Sequence, residues 1–145
     1  MNDKFRIVIA EDNPADVIVV RLALKQVLTD FELKVFGDGQ RMLKYVDELQ
    51  RGGVPSPDIM LLDLNMPRVG GLEVMQRLRS STCVSTPVVI ITSSSRPKDR
   101  EQALALGAAH YFLKSDNFDE FLKIGEVVSE ILNRGQDSES EAIAV

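Results

Sequence analysis

Ile59-Met60-Leu61-Leu62-Asp63-Leu64-Asn65-Met66-Pro67-Arg68-Val69-Gly70-Gly71 sets an apolar run against an abrupt carboxylate. The run Ile59 to Leu62, bounded by turn signals, reads as a strand buried on both faces. Pro67 denies the chain another strand position. Gly70 and Gly71 release it into a new amphipathic segment. Asp63 therefore stands where an inner strand runs out, with a short stiff loop beyond it. In open α/β sheets, ligands bind outside the carboxyl ends of the strands. What else reaches that edge is the question for the rest of the chain.

Before that stretch, Phe5 to Ala10 is a β-rich run ending on Glu11 and Asp12. Asn13-Pro14 supplies a helix cap followed by proline at the first helical position. Val17, Val20, Leu24 and Val27 recur at helical spacing, giving a first helix from about Pro14 to Leu28. Leu33 to Phe36 is a short second strand closed by Gly37-Asp38-Gly39. A second helix follows, with Met42, Leu43, Val46 and Leu49 on one face. Gly52, Gly53, Pro55 and Pro57 mark the return loop. After Asp63, a third helix runs from roughly Gly71 to Arg79, and the polar loop Ser80 to Thr86 leads to a fourth strand, Val88 to Thr92. Ser93 to Pro97 starts a fourth helix, which carries Ala103, Leu104 and Leu106 and stops at Gly107. His110 to Leu113 is a fifth strand ending on Lys114. Asp116 and Asn117 offer caps for a last helix, Phe118 to about Asn133, stopped by Gly135.

Five strands alternating with five helices, without repeat or linker, imply a parallel sheet with helices on both faces. The expected fold is a flavodoxin-like (βα)5 three-layer sandwich with strand order 2-1-3-4-5. Its inner strands, the first, third and fourth, are the most continuously apolar. One domain is expected over 1–135. Residues 136–145, acidic and serine-bearing with little to bury, are expected to form a disordered tail.

The totals exclude several classes. The 145 residues suit one domain with one substantial core. A formal net charge of −5 without a dense Lys/Arg cluster argues against direct nucleic-acid binding. No apolar run is long enough to span a bilayer, and no secretory signal opens the chain. Cys83 is the only cysteine, so no internal disulfide forms, and it reads as a neutral loop residue. A cytoplasmic protein is expected.

The strand ends carry the chemistry. The first delivers Glu11 and Asp12, the third Asp63, the fourth Thr92 and the fifth Lys114. Three carboxylates on one rim repel one another unless a cation shields them. Mg²⁺, with Mn²⁺ as a substitute, takes oxygen ligands from a few carboxylates and from phosphate. The set suits a carboxylate nucleophile, a metal and a phosphoryl group together. Asp63 would attack phosphorus, while Thr92 and Lys114 stabilise the equatorial oxygens. Singly, each residue has a bland reading: Asp12 as a cap, Asp63 and Thr92 as strand ends, Lys114 as a solvated charge. Their coincidence at one edge is what argues for a site.

Glu11-Asp12, Asp63 with Met66-Pro67 and Gly71, Thr92 and Lys114 resemble the receiver domain of two-component response regulators, over about Phe5 to Asn133. The resemblance implies Asp63 as the phosphoacceptor for a histidine kinase's phosphohistidine, followed by self-catalysed hydrolysis. It implies Mg²⁺ held by Asp12, Asp63, the Asn65 backbone carbonyl and, mainly through water, Glu11. It implies Thr92 and Lys114 on the phosphoryl oxygens and Tyr111 as the aromatic switch. Glu11 to Asp16, Asp63 to Pro67 and Lys114-Ser115 are further similar to the single-domain cyanobacterial phytochrome response regulators, which implies a phytochrome-like photoreceptor kinase as partner. Two positions depart from the common receiver pattern. Ser115 replaces the usual proline after the lysine, where a non-proline cis bond would cost about 3 kcal/mol. Gly70 replaces an acidic residue common in that loop.

Rival readings are weaker. A flavin module would need phosphate-cradling donors where Glu11 and Asp12 stand. A dedicated aspartate-based phosphatase would carry a second Asp where this chain has Asn65. A receiver-like interaction module that works without phosphorylation is the remaining alternative. Self-association is also expected. On the last helix Phe118, Phe121, Leu122, Gly125, Val128 and Leu132 form a sheet-facing stripe, while Ile124, Val127 and Ile131 fall on a second one. Phe112 points opposite to Tyr111 on the fifth strand. Together Phe112, Ile124, Val127 and Ile131 suggest the patch of a symmetric homodimer through the fourth helix, fifth strand and last helix.

Overall fold

Alternation along the inner strands sorts the apolar side chains into two cores, one on each face of a single sheet. The structure, a computed structural model, describes residues 4–80 and 85–144, with side chains as far as Gly135. Cys83 lies outside the described residues. The elements are β1 (Phe5–Ala10), α1 (Pro14–Val27), β2 (Phe31–Phe36), α2 (Gly39–Gln50), β3 (Ile59–Leu62), α3 (Gly71–Arg79), β4 (Val88–Thr92), α4 (Pro97–Ala105), β5 (His110–Leu113), α5 (Phe118–Phe121) and α6 (Ile124–Ala144). The sheet order is β2-β1-β3-β4-β5, and every pairing is parallel. This is the expected flavodoxin-like arrangement. β2 begins at Phe31 rather than Leu33, because Phe31 and Glu32 pair with Phe5 and Arg6 of β1.

On one face Ile7, Ile9, Ile59, Leu61, Val89 and Ile91 pack against α1 and α6 through Val20, Ala23, Leu24, Val128 and Leu132. On the other, Val8, Ala10, Met60, Leu62, Val88 and Ile90 meet α2 and α3 through Met42, Val46, Val74, Met75 and Leu78. Burying both faces forces Ile7 to Ala10 of β1, Ile59 to Leu62 of β3 and Val88 to Ile91 of β4 to be apolar, so the next polar residues come where each strand leaves the core. Those residues line the carboxyl edge.

Helix starts at that edge are held by local capping. The Asn13 side chain accepts from the Ala15 N–H at 2.9 Å, with Pro14 in the first turn. Asp38 accepts from the Arg41 N–H at 2.8 Å, and Asn117 from the Glu120 N–H at 3.0 Å. At the far end of α4, Gly107 takes φ 90°, the left-handed conformation expected of a residue just past a helix.

The last helix departs from expectation in three ways. It breaks after Phe121, where the Lys123, Gly125 and Glu126 N–H groups bond three residues back to Glu120, Leu122 and Lys123. That tighter winding belongs to a 3₁₀ turn. It does not stop at Gly135: the backbone is helical to Ala144, through the stretch expected to be disordered. Glycine costs a helix only about 1 kcal/mol relative to alanine, so one glycine need not end it. The burial along its faces differs as well. Phe118, expected against the sheet, is 53% exposed, and Ile124, expected on the outer patch, is fully buried in the α1/α6 core. Phe112, Val127 and Ile131 are half-buried and lean on the same core, with the Phe112 ring 6.2 Å from that of Phe121. Packing has thus absorbed much of the patch that periodicity suggested.

Candidate functional site

The sheet's hydrogen-bond ladder continues one residue past β1, β3 and β5 and so fixes the rim. The Glu11 N–H donates to the Phe36 carbonyl at 2.9 Å, Asp63 N–H to Ala10 at 3.0 Å, and Lys114 N–H to Thr92 at 2.7 Å. Glu11, Asp63 and Lys114 are therefore held by main chain before any side-chain contact. Beyond Asp63 the loop is stiff. Arg68 takes φ 71°, at a cost of roughly 1–2 kcal/mol for a residue with a side chain, and the Val69 N–H bridges it to the Pro67 carbonyl at 2.9 Å.

These residues surround an open cavity of about 380 Å³, with Asp12, Asp16, Asn65 and Ser115 also on its wall. Ligand atoms of Glu11, Asp12 and Asp63 all lie within 4.8 Å of one another. Glu11 and Asp63 are buried, whereas Asp12 is exposed. The Lys114 ammonium reaches Glu11 Oε1 at 2.5 Å, Asp16 Oδ2 at 2.8 Å and Asp63 Oδ2 at 3.2 Å. Asp63 Oδ1 accepts the Asn65 N–H at 3.1 Å. Thr92, fully buried, accepts at Oγ1 from the Ser94 N–H at 3.1 Å and from the Asn65 amide at 3.4 Å.

Burial, with Asp63 beside it, holds the Glu11 carboxyl well above the ordinary carboxylate range, and Lys114 only partly offsets this. Burial alone would lower the Lys114 ammonium. Its bonds to Asp16 and Glu11 and the charges of Glu11 and Asp63 outweigh that and push it up. Glu11 Oε2 accepts the Asn13 N–H at 3.2 Å, but buried Oε1 has the Lys114 ion pair and no well-formed hydrogen bond. A buried, under-satisfied carboxylate oxygen beside two further carboxylates is the donor set of a hard divalent cation. The residues present fit one.

The structure brings Glu11, Asp12, Asp63, Asn65, Thr92 and Lys114 together as expected. Tyr111 sits on β5 three residues before Lys114, its hydroxyl donating to the Ser94 carbonyl at 2.9 Å and the Arg100 guanidinium 6.0 Å from its ring. Burial raises its phenol above the ordinary value. The Lys114–Ser115 peptide is trans, since no cis peptide occurs among the described residues. Two residues escaped the sequence reading as site residues. Asp16, in the first turn of α1, carries no sequence signal of its contact with Lys114, 98 residues away. Ser94 was legible two residues after Thr92, the spacing of a hydroxyl-capped turn.

A parallel five-stranded sheet with three acidic residues and a lysine at its carboxyl edge defines a receiver, and the chain belongs to the response regulator receiver domain family, which it matches over residues 7–125. It is thus a signalling module of two-component systems rather than an ordinary enzyme. Among curated relatives, the response regulator Rcp1 of Synechocystis sp. is 30% identical over 120 residues, covering 81% of this chain and 82% of its own. The probable methanogenesis regulatory protein FilR2 of Methanothrix harundinacea is 30% identical over 129 residues, covering 88% of this chain and 83% of its own. The transcriptional regulatory protein TrcR of Mycobacterium tuberculosis is matched over only 42% of its length. The phosphorylated cyanobacterial phytochrome response regulator RcpA superposes with a TM-score of 0.79 at 28% identity, covering 89% of this chain and 94% of that one. The Mn²⁺-bound form of Rcp1 gives 0.76 at 28% identity, covering 86% and 91%. Among the described residues no helix is long and apolar enough to cross a membrane.

Proposed function

We propose that the chain accepts a phosphoryl group on Asp63 from a histidine kinase and signals through the conformational change that follows. The observation that carries this is the pairing of three carboxylates, clustered within 4.8 Å, with a lysine 3.2 Å from the central one. An Asp63 carboxylate oxygen forms the new O–P bond as the donor's P–N bond breaks, and the imidazole nitrogen keeps that electron pair. Asp12, Asp63, the Asn65 carbonyl and Glu11 would hold Mg²⁺, or Mn²⁺ in its place. Bound there, the cation neutralises charge on the acceptor and on the transferring oxygens. The Lys114 ammonium and the Thr92 hydroxyl take the remaining oxygens. Likeness to RcpA and Rcp1 supports a phytochrome-type kinase as donor and a cytoplasmic setting.

The reading is tested by intact-mass spectrometry after incubation with acetyl phosphate. One added phosphoryl mass is expected with Mg²⁺ and none after chelation. Asp12→Ala should need far more Mg²⁺ to reach the same extent. Equal labelling with and without the cation would refute the assignment.

Ser94 supplies the path to a switch. Its N–H holds Thr92 and its carbonyl holds Tyr111. A phosphoryl group adds roughly −1.5 to −2 charges and draws the Thr92 hydroxyl toward it. That breaks the Ser94 contact, moves the loop before α4 and leaves space for the Tyr111 ring. With beryllofluoride, the Tyr111 ring signals should shift by NMR in wild type and stay put in Thr92→Ala, which still becomes phosphorylated. Identical shifts in both would break the link.

The same face would carry a symmetric homodimer. With Ile124 buried, its apolar exposure rests on Leu104 (44%) and Leu113 (48%), with Phe112, Val127 and Ile131 half-covered. Sedimentation equilibrium with beryllofluoride should show a dimer that Leu113→Arg weakens at least about tenfold, as a charge in an apolar contact does. A wild type that stays monomeric at high micromolar concentration would end the proposal.

A further inference from the structure

Lys114 has a third acidic partner that phosphoryl acceptance does not call for. Asp16 Oδ2 lies 2.8 Å from its ammonium, nearer than Asp63 at 3.2 Å. An ammonium has three N–H donors. Three carboxylates already face this one, and its side chain is only 12% exposed, so little water competes. Only Asp16 and Asp63 accept hydrogen bonds from the ammonium, while Glu11 pairs by charge, so a phosphoryl oxygen arriving on Asp63 must compete for it with these carboxylates.

The three differ in freedom to let go. Asp63 carries the arriving group. Glu11 has a side chain with no exposure and belongs to the clustered cation donors, so it has no route to water. Asp16 stands outside that cluster, in the first turn of α1, with its side chain 21% exposed. It can turn into solvent and rehydrate. We propose that Asp16 is a positioning residue that latches Lys114 in the unphosphorylated protein and competes with the phosphoryl group for it. This rests on the phosphoryl-acceptor reading of Asp63.

A competing latch has a distinctive sign. Removing the Asp16 carboxylate frees one ammonium donor and takes one like charge away from the incoming group. The Asp16→Asn variant should then bind a phosphoryl mimic more tightly than wild type, whereas a merely structural role predicts weaker binding. Competition with a partly exposed charge-assisted hydrogen bond suggests a gain of about three- to tenfold. Asp16→Glu, which keeps a carboxylate on the same helix turn, should bind as wild type does.

Calorimetric titration of beryllofluoride in the presence of Mg²⁺ measures this on the full chain, with thermal melts confirming that each variant is folded. Tighter binding by Asp16→Asn together with wild-type binding by Asp16→Glu supports the latch. Equal or weaker binding by Asp16→Asn overturns it while leaving the acceptor reading intact. A gain shared by Asp16→Glu also overturns it, because a retained carboxylate should retain the competition. A wild type that takes no beryllofluoride overturns both.

Discussion

Replacing Asp63 by asparagine should abolish covalent phosphorylation outright. The amide has nearly the volume of the carboxylate but no nucleophilic oxygen of comparable strength, so the O–P bond has no starting point. The surroundings should tolerate the exchange. The Asn65 N–H can still donate to a side-chain oxygen at this position, as it does to Oδ1 at 3.1 Å. Lys114 keeps Glu11 at 2.5 Å and Asp16 at 2.8 Å. Loss of one ion pair is offset by relief of repulsion within a three-carboxylate cluster, so stability should stay within about 1 kcal/mol of wild type. Intact-mass spectrometry with acetyl phosphate and Mg²⁺ reads the first part, and thermal melting the second. A full phosphoryl mass on Asp63→Asn would move the acceptor elsewhere. Lys114→Ala separates acceptance from response: it should still take the group, but without the Tyr111 shift that wild type shows.

The second large effect falls on a residue with no reactive group. Gly71 opens α3 against the end of β3, and its N–H donates to the Leu64 carbonyl at 3.2 Å. A Cβ at this position would sit 2.4 Å from the Asp63 carbonyl oxygen and 3.0 Å from the Leu64 Cα. Those are backbone atoms of the loop that presents Asp63, so no side chain can swing aside. Gly71→Ala must therefore shift α3 or the loop. Overpacking of this kind costs about 1–3 kcal/mol, and an unyielding backbone places this case at the upper end. For a domain of this size the melting temperature should fall by roughly 5–10 °C. Since the displaced atoms carry the acceptor, the phosphorylation rate should fall as well. A variant that melts with wild type and phosphorylates at its rate would show that the loop yields freely.

Much of this architecture was legible before any coordinates. Runs such as Ile59 to Leu62 and Val88 to Ile91 are apolar throughout because both sheet faces are buried, and the first polar residue after each marks the rim. Asn13-Pro14, Asp38 and Asn117 act through neighbours in sequence, so their capping could be read locally. The clustering of Glu11, Asp12, Asp63, Thr92 and Lys114 followed from strand order alone, since parallel strands bring all their carboxyl ends to one edge.

What only the tertiary structure decided depends on distances between elements. Helical periodicity put Ile124 outside and Phe118 inside. Phe121, Gly125, Val128 and Leu132 are buried as that periodicity has it, but packing on α1 widens the buried stripe to take in Ile124, while Phe118 at the helix start stays exposed. The third partner of Lys114 was likewise beyond sequence reach. Asp16 and Lys114 are 98 residues apart and meet because α1 and the end of β5 converge above β1 and β3. Which residues come to an edge can be read from the sequence, because the end of each apolar run is local and the alternation of β and α segments makes the strands parallel. Which side chains touch across that edge depends on helix phase and loop geometry, and those are set by long-range packing.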